Sequence, residues 1–428
     1  MRRREFLKLG VAGVAGAAGI RLAPHHAGSG EGGAGEGGSG DRAPVVPVVA
    51  DPARTGGSRP RSLVVIELSG GNDGLNTVVP MESDRYRDLR PATFIAPADL
   101  HRFDAGFGLH PALTRLSGRG VAVVAGVGVA EPDGSHFEMA NRWWMGDPDG
   151  HAAPRDGFLG RLADMVGDPG APAVAVGLGG GSAATLAASK VTTMSLDDLD
   201  AVDLFETKPD DRMLTAFQHG FEALSRPGAF RPGGGGSLLA AEAASGMRRA
   251  TTTARLLSTS AGAAMDLPGG DLGKALGEAA RLLGADVGVR ILHVSMGGFD
   301  THSDHRDQHN RLLGELDLAV DAFLAELDRR GLGSSTLVAT TSEFGRRARD
   351  NGSDGLDHGA ASVALLAGPV HAGMHGEQPR LDRLDDDDNL RATVDLGSYY
   401  ATLASWLGVD PADVLPRGAK ALSNVLRT

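Results

Sequence analysis

The sequence predicts an α/β fold in which a mostly parallel central sheet carries helices on both faces. Apolar, β-branched runs recur along the chain, helical patterns lie between them, and short polar clusters follow several of the runs. The runs are residues 62–68, 121–127, 290–296, 336–341 and 362–367. Unbroken apolar runs are typical of strands buried on both faces. Strands that alternate with helices form largely parallel sheets.

The helical patterns lie where this fold requires them. The clearest helix is predicted over residues 307–330, where leucine, valine and phenylalanine repeat at spacings of three and four before Gly331 ends the pattern. A terminal helix is predicted near 398–407. Residues 198–285 are mostly helical in pattern and offer few ligand side chains, so we interpret them as a helical insertion or cap over the sheet.

The first 27 residues predict an export signal. Arg3 and Arg4 form a twin-arginine pattern, and a glycine- and alanine-rich apolar stretch follows at 9–20. That stretch is too short and too rich in glycine to span a bilayer. We expect recognition by the twin-arginine export machinery and a periplasmic, cell-wall or extracellular mature form without an integral membrane span. The alternative is an ordinary basic amino terminus with a chance arginine pair.

The composition of the chain indicates how residues 28–428 are organised and excludes some partners and ligands. Residues 28–60 are rich in glycine, serine, glutamate and proline, which predicts a flexible leader before one α/β domain at 61–428. The whole chain carries a formal charge of −12, and removing the net +4 of residues 1–27 leaves −16. Such an acidic exterior argues against nucleic acid and anionic membrane surfaces as partners. The chain has no cysteine, which excludes disulfides and thiolate ligands.

Three polar clusters predict a metal centre. Asp300 and His302 follow the run at 290–296, Glu343 follows the run at 336–341, and Asp357 and His358 lie in a glycine-rich loop. The carboxyl ends of strands are where an open α/β sheet places its ligands. Oxygen and nitrogen donors without sulfur predict a divalent metal among Zn²⁺, Mn²⁺, Mg²⁺, Fe²⁺ and Ca²⁺, with calcium the least natural. The alternative is a hydrogen-bonded polar cluster that locks three loops.

Two further motifs extend this hypothesis. Asn72 and Asp73 follow the first run in a tight glycine-rich turn, which makes them candidate metal ligands or only turn residues. Ser135 has Glu138 three residues later, a capping box that predicts a helix start. A helix amino terminus can stabilise an oxyanion or a nucleophile, so Ser135 is either a catalytic candidate or only the cap.

Taken together, these motifs resemble the exported DUF1501 family. The matching segments are Ser-Gly-Gly-Asn-Asp-Gly (69–74), Ser-His-Phe (135–137), Gly-Gly-Phe-Asp-Thr-His (297–302), Ser-Glu-Phe-Gly-Arg (342–346) and Asp-His-Gly (357–359). The resemblance covers nearly all of 61–425. This family is similar in turn to the alkaline phosphatase and sulfatase superfamily. That likeness implies an α/β sandwich, divalent metal at the strand ends and a hydroxyl nucleophile at a helix start.

Carried over by position, the resemblance implies a nucleophile at Ser135 or His136 and a late metal ligand at His358. There are also departures from the superfamily pattern. Phe344 stands where a metal-binding histidine is usual, and Asp304 stands where the histidine that follows Asp300 is usual.

Three hypotheses follow. The first is a metal-dependent hydrolase of phosphate or sulfate esters of small molecules or glycans, with Arg346 clamping the oxyanion. The second is a degenerate, non-catalytic member that binds a glycan or a partner protein. The third, a metal-independent serine hydrolase, is disfavoured because no Gly-x-Ser-x-Gly elbow surrounds Ser135.

Overall fold

The computed structural model describes residues 59–151, 154–180, 183–199, 252–416 and 419–427. The predicted signal at 1–27, the leader as far as residue 58 and most of the predicted helical insertion (200–251) lie outside these residues. None of the described helices is both long enough and apolar enough to cross a membrane.

Among the residues that the structure describes, a nine-stranded sheet forms the centre of the fold, and a three-stranded sheet lies beside it. The strands of the large sheet are β1 (Ser62–Leu68), β5 (Ala122–Gly128), β6 (Ala175–Leu178), β7 (Thr193–Leu196), β8 (Ile291–Met296), β9 (Thr336–Thr341), β10 (Ser362–Ala367), β11 (Gly373–His375) and β12 (Val394–Asp395). Those of the small sheet are β2 (Val78–Pro80), β3 (His101–Asp104) and β4 (Phe107–Leu109).

The large sheet is mostly parallel, which confirms the predicted fold class. Its strands follow the order β11-β5-β10-β9-β1-β8-β6-β7, and β12 also pairs with β5. Strand β1 pairs in parallel with both β8 and β9, whereas β10 runs antiparallel between β9 and β5. All five predicted strands are present. The four-residue strands β6 and β7 were not predicted, because so short a run carries too little pattern to separate it from a loop.

Helices cover both faces of the large sheet. They are α1 (Gly74–Thr77), α2 (Asp84–Leu89), α3 (Thr114–Arg119), α4 (His136–Met145), α5 (Phe158–Val166), α6 (Gly270–Ala285), α7 (His305–Arg329), α8 (Leu396–Trp406) and α9 (Pro411–Val414). Successive residues of β1 point to opposite faces: Val64 joins the core under α6 and α7, and Val65 joins the core under α4, α5 and α8. This alternation is why the apolar run of β1 is unbroken.

Helix α7 confirms the clearest helix prediction to within two residues at its start and one at its end. Its leucine, valine and phenylalanine stripe is buried against the sheet. Helix α6 lies in the described part of the predicted insertion and packs beside α7 in the same core, and residues 252–261 are also helical. That part of the segment covers the sheet directly.

The topology gathers four loops at one edge of the large sheet. Strands β5, β9, β1 and β8 run in the same direction, so their carboxyl ends share an edge, and the antiparallel β10 begins there. Two glycines let the loops approach closely. A Cβ on Gly70 (φ +112°) would lie 2.4 Å from the Asp300 nitrogen, and one on Gly71 (φ +91°) would lie 2.4 Å from the Phe344 ring.

Candidate metal centre

Three imidazoles converge on one carboxylate at this edge of the sheet. The Oδ1 atom of Asp300 lies 3.1 Å from the Nε2 atoms of both His302 and His358. Those two Nε2 atoms are 2.9 Å apart. The Nε2 atom of His136, the first residue of α4, lies 3.4 Å from the other oxygen of Asp300. We call these four residues the exposed centre, because the Asp300 side chain is 43% exposed.

Each of the three imidazoles is oriented by an oxygen acceptor behind it. The Nδ1 atom of His136 lies 3.1 Å from Glu343 Oε1, that of His302 lies 3.2 Å from Asp357 Oδ1, and that of His358 lies 2.8 Å from a backbone carbonyl. Because these oxygens only accept hydrogen bonds, each Nδ1 carries the proton. The Nε2 atoms then face Asp300, where either a proton on Nε2 or a bound metal cation can bridge the nitrogen and the carboxylate. Metal-binding histidines are oriented in this way.

The Arg346 side chain binds the Asp300 carboxylate. Burial raises the pKa of Asp300, but hydrogen bonds from Arg346 and His358 outweigh it and bring the pKa to about 2. The guanidinium is buried, and it also donates to the backbone carbonyls of residues 70, 71, 299 and 356. The N–H donors of Arg346 are therefore used within the protein. Asp300 is ionised and is held in place by Arg346.

Glu343 lies behind the exposed centre. Its Oε1 atom accepts a 2.7 Å hydrogen bond from the Gly70 nitrogen and also contacts His136. Next to it, Phe344 occupies the position where the resemblance implies a histidine. Its ring stacks on His358 at 4.4 Å and lies 5.0 Å from the His136 ring. This ring forms an apolar wall in place of a further ligand.

Ser135 caps helix α4, as its capping-box spacing predicted. Its Oγ atom accepts a long, 3.5 Å hydrogen bond from the Glu138 nitrogen and is exposed. The neighbouring His136 is the residue whose side chain reaches Asp300 and Glu343. Between the two candidates at this helix start, His136 therefore lies within the exposed centre and Ser135 lies beside it at the surface.

A second set of histidines and carboxylates is buried next to the exposed centre. The Oδ2 atom of Asp73 lies 2.7 Å from Arg90 Nη1 and 2.9 Å from His305 Nε2. The Oδ1 atom of Asn72 lies 3.1 Å from His309 Nε2. We call these five residues the buried cluster, because each is no more than 2% exposed.

Charge within the buried cluster is already balanced. Burial raises the pKa of Asp73, but Arg90 and His305 outweigh it and hold the pKa well below its usual range. Burial lowers the pKa of His309 well below its usual range and that of the adjacent His110 to about 4. The cluster therefore contains an ionised Asp73–Arg90 pair, and the imidazoles of His309 and the adjacent His110 are neutral near pH 7.

The structure thus divides the predicted site residues between two clusters. It brings together His136, Asp300, His302, Glu343, Asp357 and His358, and it places Asn72 and Asp73 in the buried cluster. Sequence reasoning did not assign His305 and His309, although their spacing of four residues at the start of a helix puts both on one face. Nothing in the sequence singled out Arg90 as the partner of Asp73.

Comparison with known families gives one clear match. The model of the family described as "Protein of unknown function (DUF1501)" matches residues 145–421. No curated protein matches the chain.

Solved structures resemble the fold only distantly. A protein in the alkaline phosphatase superfamily from Vibrio parahaemolyticus is 11% identical, with a TM-score of 0.37 over 83% of this chain and 69% of that chain. The C-terminal periplasmic domain of EcEptC from Escherichia coli, in complex with Zn, is 12% identical, with a TM-score of 0.37 over 86% and 92%. The PsFucS1 sulfatase from Pseudoalteromonas sp. is 11% identical, with a TM-score of 0.36 over 85% and 74%. At these values the likenesses carry no argument about activity.

Proposed function

The chain belongs to the DUF1501 family, and we propose that it is a metal-dependent hydrolase of phosphate or sulfate esters. One observation carries the proposal: three imidazoles, each with its Nδ1 proton held from behind, direct their Nε2 atoms at the two oxygens of Asp300. Nitrogen donors combined with one carboxylate favour Zn²⁺, Mn²⁺ or Fe²⁺ over Ca²⁺.

Asp300, His302 and His358 would hold the metal in this proposal. When bound, a divalent cation polarises the ester oxygen and lowers the pKa of a coordinated nucleophile. Asp357 keeps His302 in the tautomer that can bind a cation, because its carboxylate accepts the Nδ1 proton. Arg346 is assigned a positioning role for Asp300, because its donors are occupied by carbonyls. The oxyanion would lie at the amino terminus of α4.

His136 is the candidate proton carrier. Glu343 accepts its Nδ1 proton, which leaves Nε2 free to take the proton of an attacking hydroxyl. Ser135 precedes it at the start of α4, where free backbone N–H groups favour a developing negative charge. The attacking oxygen, from Ser135 or water, would form a bond to phosphorus or sulfur as the bond to the ester oxygen breaks, and the departing oxygen would take the proton that His136 received. Attack by Ser135 would leave a serine ester, which a water molecule would then hydrolyse.

The direct experiment is an ester screen on metal-loaded protein. Purified protein would be assayed with p-nitrophenyl phosphate and p-nitrophenyl sulfate after loading with Zn²⁺, Mn²⁺ or Mg²⁺. We expect the protein to hydrolyse one of the two ester classes. A chelator should stop this hydrolysis, and Asp300→Asn should abolish it. Asp386→Asn, a change of an exposed carboxylate in a distant loop, is the matched control and should retain activity. Equal rates with and without metal would contradict the proposal.

A second candidate is a non-catalytic member that binds an ester-bearing glycan or a partner protein. Phe344 favours it, because an aromatic ring against His358 replaces a ligand that a two-metal centre would need. Retained metal, glycan binding and no turnover of any ester in the screen would select this candidate. Metal-dependent turnover would exclude it.

Export by the twin-arginine route completes the proposal. The acidic mature chain would then act in the periplasm, the cell wall or the medium. Changing Arg3 and Arg4 to lysine preserves the charge but removes the arginine pair that the export receptor recognises. The precursor should therefore accumulate in the cytoplasm. Fractionation of cells that express each version measures this, and unchanged export of the lysine variant would contradict it.

A further inference from the structure

A small cavity lies directly behind the exposed centre. Glu343, His293, Glu67, Trp143 and Trp144 are among the residues that line it. Its volume is about 10 Å³. That space suits a single water molecule and is too small for a hydrated ion or an organic group.

Three buried polar atoms on these side chains have no hydrogen-bond partner among the described residues. They are Glu343 Oε2, His293 Nδ1 and Trp143 Nε1. Their residues are 4%, 2% and 5% exposed, respectively. Buried polar atoms in folded proteins are nearly always paired, and three unpaired atoms around one cavity indicate a shared partner inside it.

The tautomer of His293 is fixed by a neighbouring carboxylate. Its Nε2 atom lies 3.0 Å from Glu67 Oε2, and Trp144 Nε1 donates to both oxygens of Glu67 at 3.2 Å. Burial raises the pKa of Glu67, but hydrogen bonds from His293 and Trp144 outweigh it and lower the pKa. The ionised carboxylate accepts the Nε2 proton. In the neutral imidazole, Nδ1 is then an acceptor.

We propose that this cavity binds one ordered water molecule that bridges Glu343 Oε2, His293 Nδ1 and Trp143 Nε1. Glu67 and His293 thereby become positioning residues for the exposed centre. A water molecule can accept the proton of Trp143 and donate to Glu343 and His293 at the same time. A cation would face the indole N–H, and an anion would face two carboxylates. Water is the small species whose donors and acceptors match all three atoms.

This bridge extends the support of the exposed centre into the core of the molecule. Glu343 Oε1 already contacts His136 and the Gly70 nitrogen, so a partner on Oε2 fixes the whole carboxylate. Through the water, the buried Glu67–His293 pair holds Glu343, and Glu343 orients His136. This role rests on the proposed metal centre, whereas the water site itself does not.

The three tryptophans of the chain provide an internal control. Trp406 Nε1 donates to the Ser62 carbonyl at 2.8 Å and Trp144 Nε1 donates to Glu67, whereas Trp143 has no partner among the described residues. In the full chain labelled with ¹⁵N-tryptophan, the Trp143 indole should show a cross-peak to a long-lived water, and the Trp406 indole should show none. Trp143→Phe assigns the signal. A Trp143 indole signal without a water cross-peak would overturn the water site, whether or not the protein binds metal.

The positioning role is tested by metal affinity. His293→Leu should weaken Zn²⁺ binding about tenfold, as loss of outer-shell partners does. His371→Leu, at an exposed loop position, should leave Zn²⁺ binding unchanged. Should His293→Leu lower only the melting temperature, with the Zn²⁺ dissociation constant unchanged, His293 would be merely structural and the positioning role would be refuted.

Discussion

The exposed centre and the buried cluster use the same residue types, yet they differ in what balances their charge. In the buried cluster, Arg90 binds both oxygens of Asp73, at 2.7 and 3.1 Å. In the exposed centre, Arg346 contacts only one oxygen of Asp300, and the other oxygen faces His136. Both oxygens of Asp73 therefore have an arginine partner, whereas Oδ2 of Asp300 has no arginine contact among the described residues.

The two sites also differ strongly in solvent exposure. The side chains of Asp73 and His305 are each 1% exposed, whereas those of Asp300 and His302 are 43% and 45% exposed. A substrate could reach only the second pair. The comparison indicates that one cluster stabilises the sheet edge and that the other is available for chemistry.

The largest expected effect concerns the buried ion pair. Asp73→Ala leaves Arg90 buried and uncompensated, so we expect a loss of about 3–5 kcal/mol in the free energy of unfolding. Urea denaturation at neutral pH measures it. Asp84→Ala is the matched control, because Asp84 pairs with Arg87 at the surface with 95% of its side chain exposed. Its removal should change stability little. Equal losses for the two variants would contradict the structural role of the buried cluster.

Acid should weaken the buried cluster before it titrates ordinary carboxylates. Burial lowers the pKa values of His110, to about 4, and of His309. Between the unfolded value near 6.5 and these folded values, the unfolded chain binds more protons. The stability is therefore fully present above about pH 6.5 and falls as the pH drops toward 4, by on the order of 1 kcal/mol per pH unit for each histidine.

Denaturation of wild type and variants from pH 8 to pH 4 measures this slope. His110→Gln should flatten it, and the exposed control His371→Gln should not. A wild-type stability that stays constant between pH 6.5 and pH 4.5 would contradict the neutral state assigned to these imidazoles.

A smaller effect is expected behind the exposed centre. Glu343→Gln weakens the acceptor that orients His136, whose Nε2 atom faces the Asp300 carboxylate, and it leaves the three proposed ligands Asp300, His302 and His358 in place. We expect metal affinity to fall about 10- to 100-fold, in the range observed for outer-shell partners. Competition titration with a chromogenic chelator measures it. An unchanged dissociation constant would contradict the role of Glu343 in supporting the exposed centre.

The smallest effect on stability is expected at Ser135. Its cap bond is long and exposed, so Ser135→Ala should cost only about 0.5 kcal/mol of unfolding free energy. If Ser135 supplies the nucleophile, the same change should abolish ester hydrolysis. Thermal denaturation and the ester assay on one preparation test both points. Full activity in the variant would leave water as the attacking group.

Most of the fold could be predicted from the sequence, because strands buried on both faces leave long apolar runs and α7 leaves a regular stripe. The convergence of the exposed centre follows from the same topology, since the carboxyl ends of parallel strands share an edge. The assignment of Asp73 could not be predicted. Its partner Arg90 lies on a different element, and spacing along the chain does not show which cationic side chain pairs with a given carboxylate.

The central claim is that the exposed centre, and not the buried cluster, binds a divalent metal. Its most direct test is anomalous scattering from crystals of metal-loaded protein, with the metal content of wild type and Asp300→Ala measured in solution. The account predicts one ion that is bound by Asp300, His302 and His358 and is lost in the variant. An anomalous peak at Asp73 and His305, or metal-free protein that melts identically with and without chelator, would contradict it.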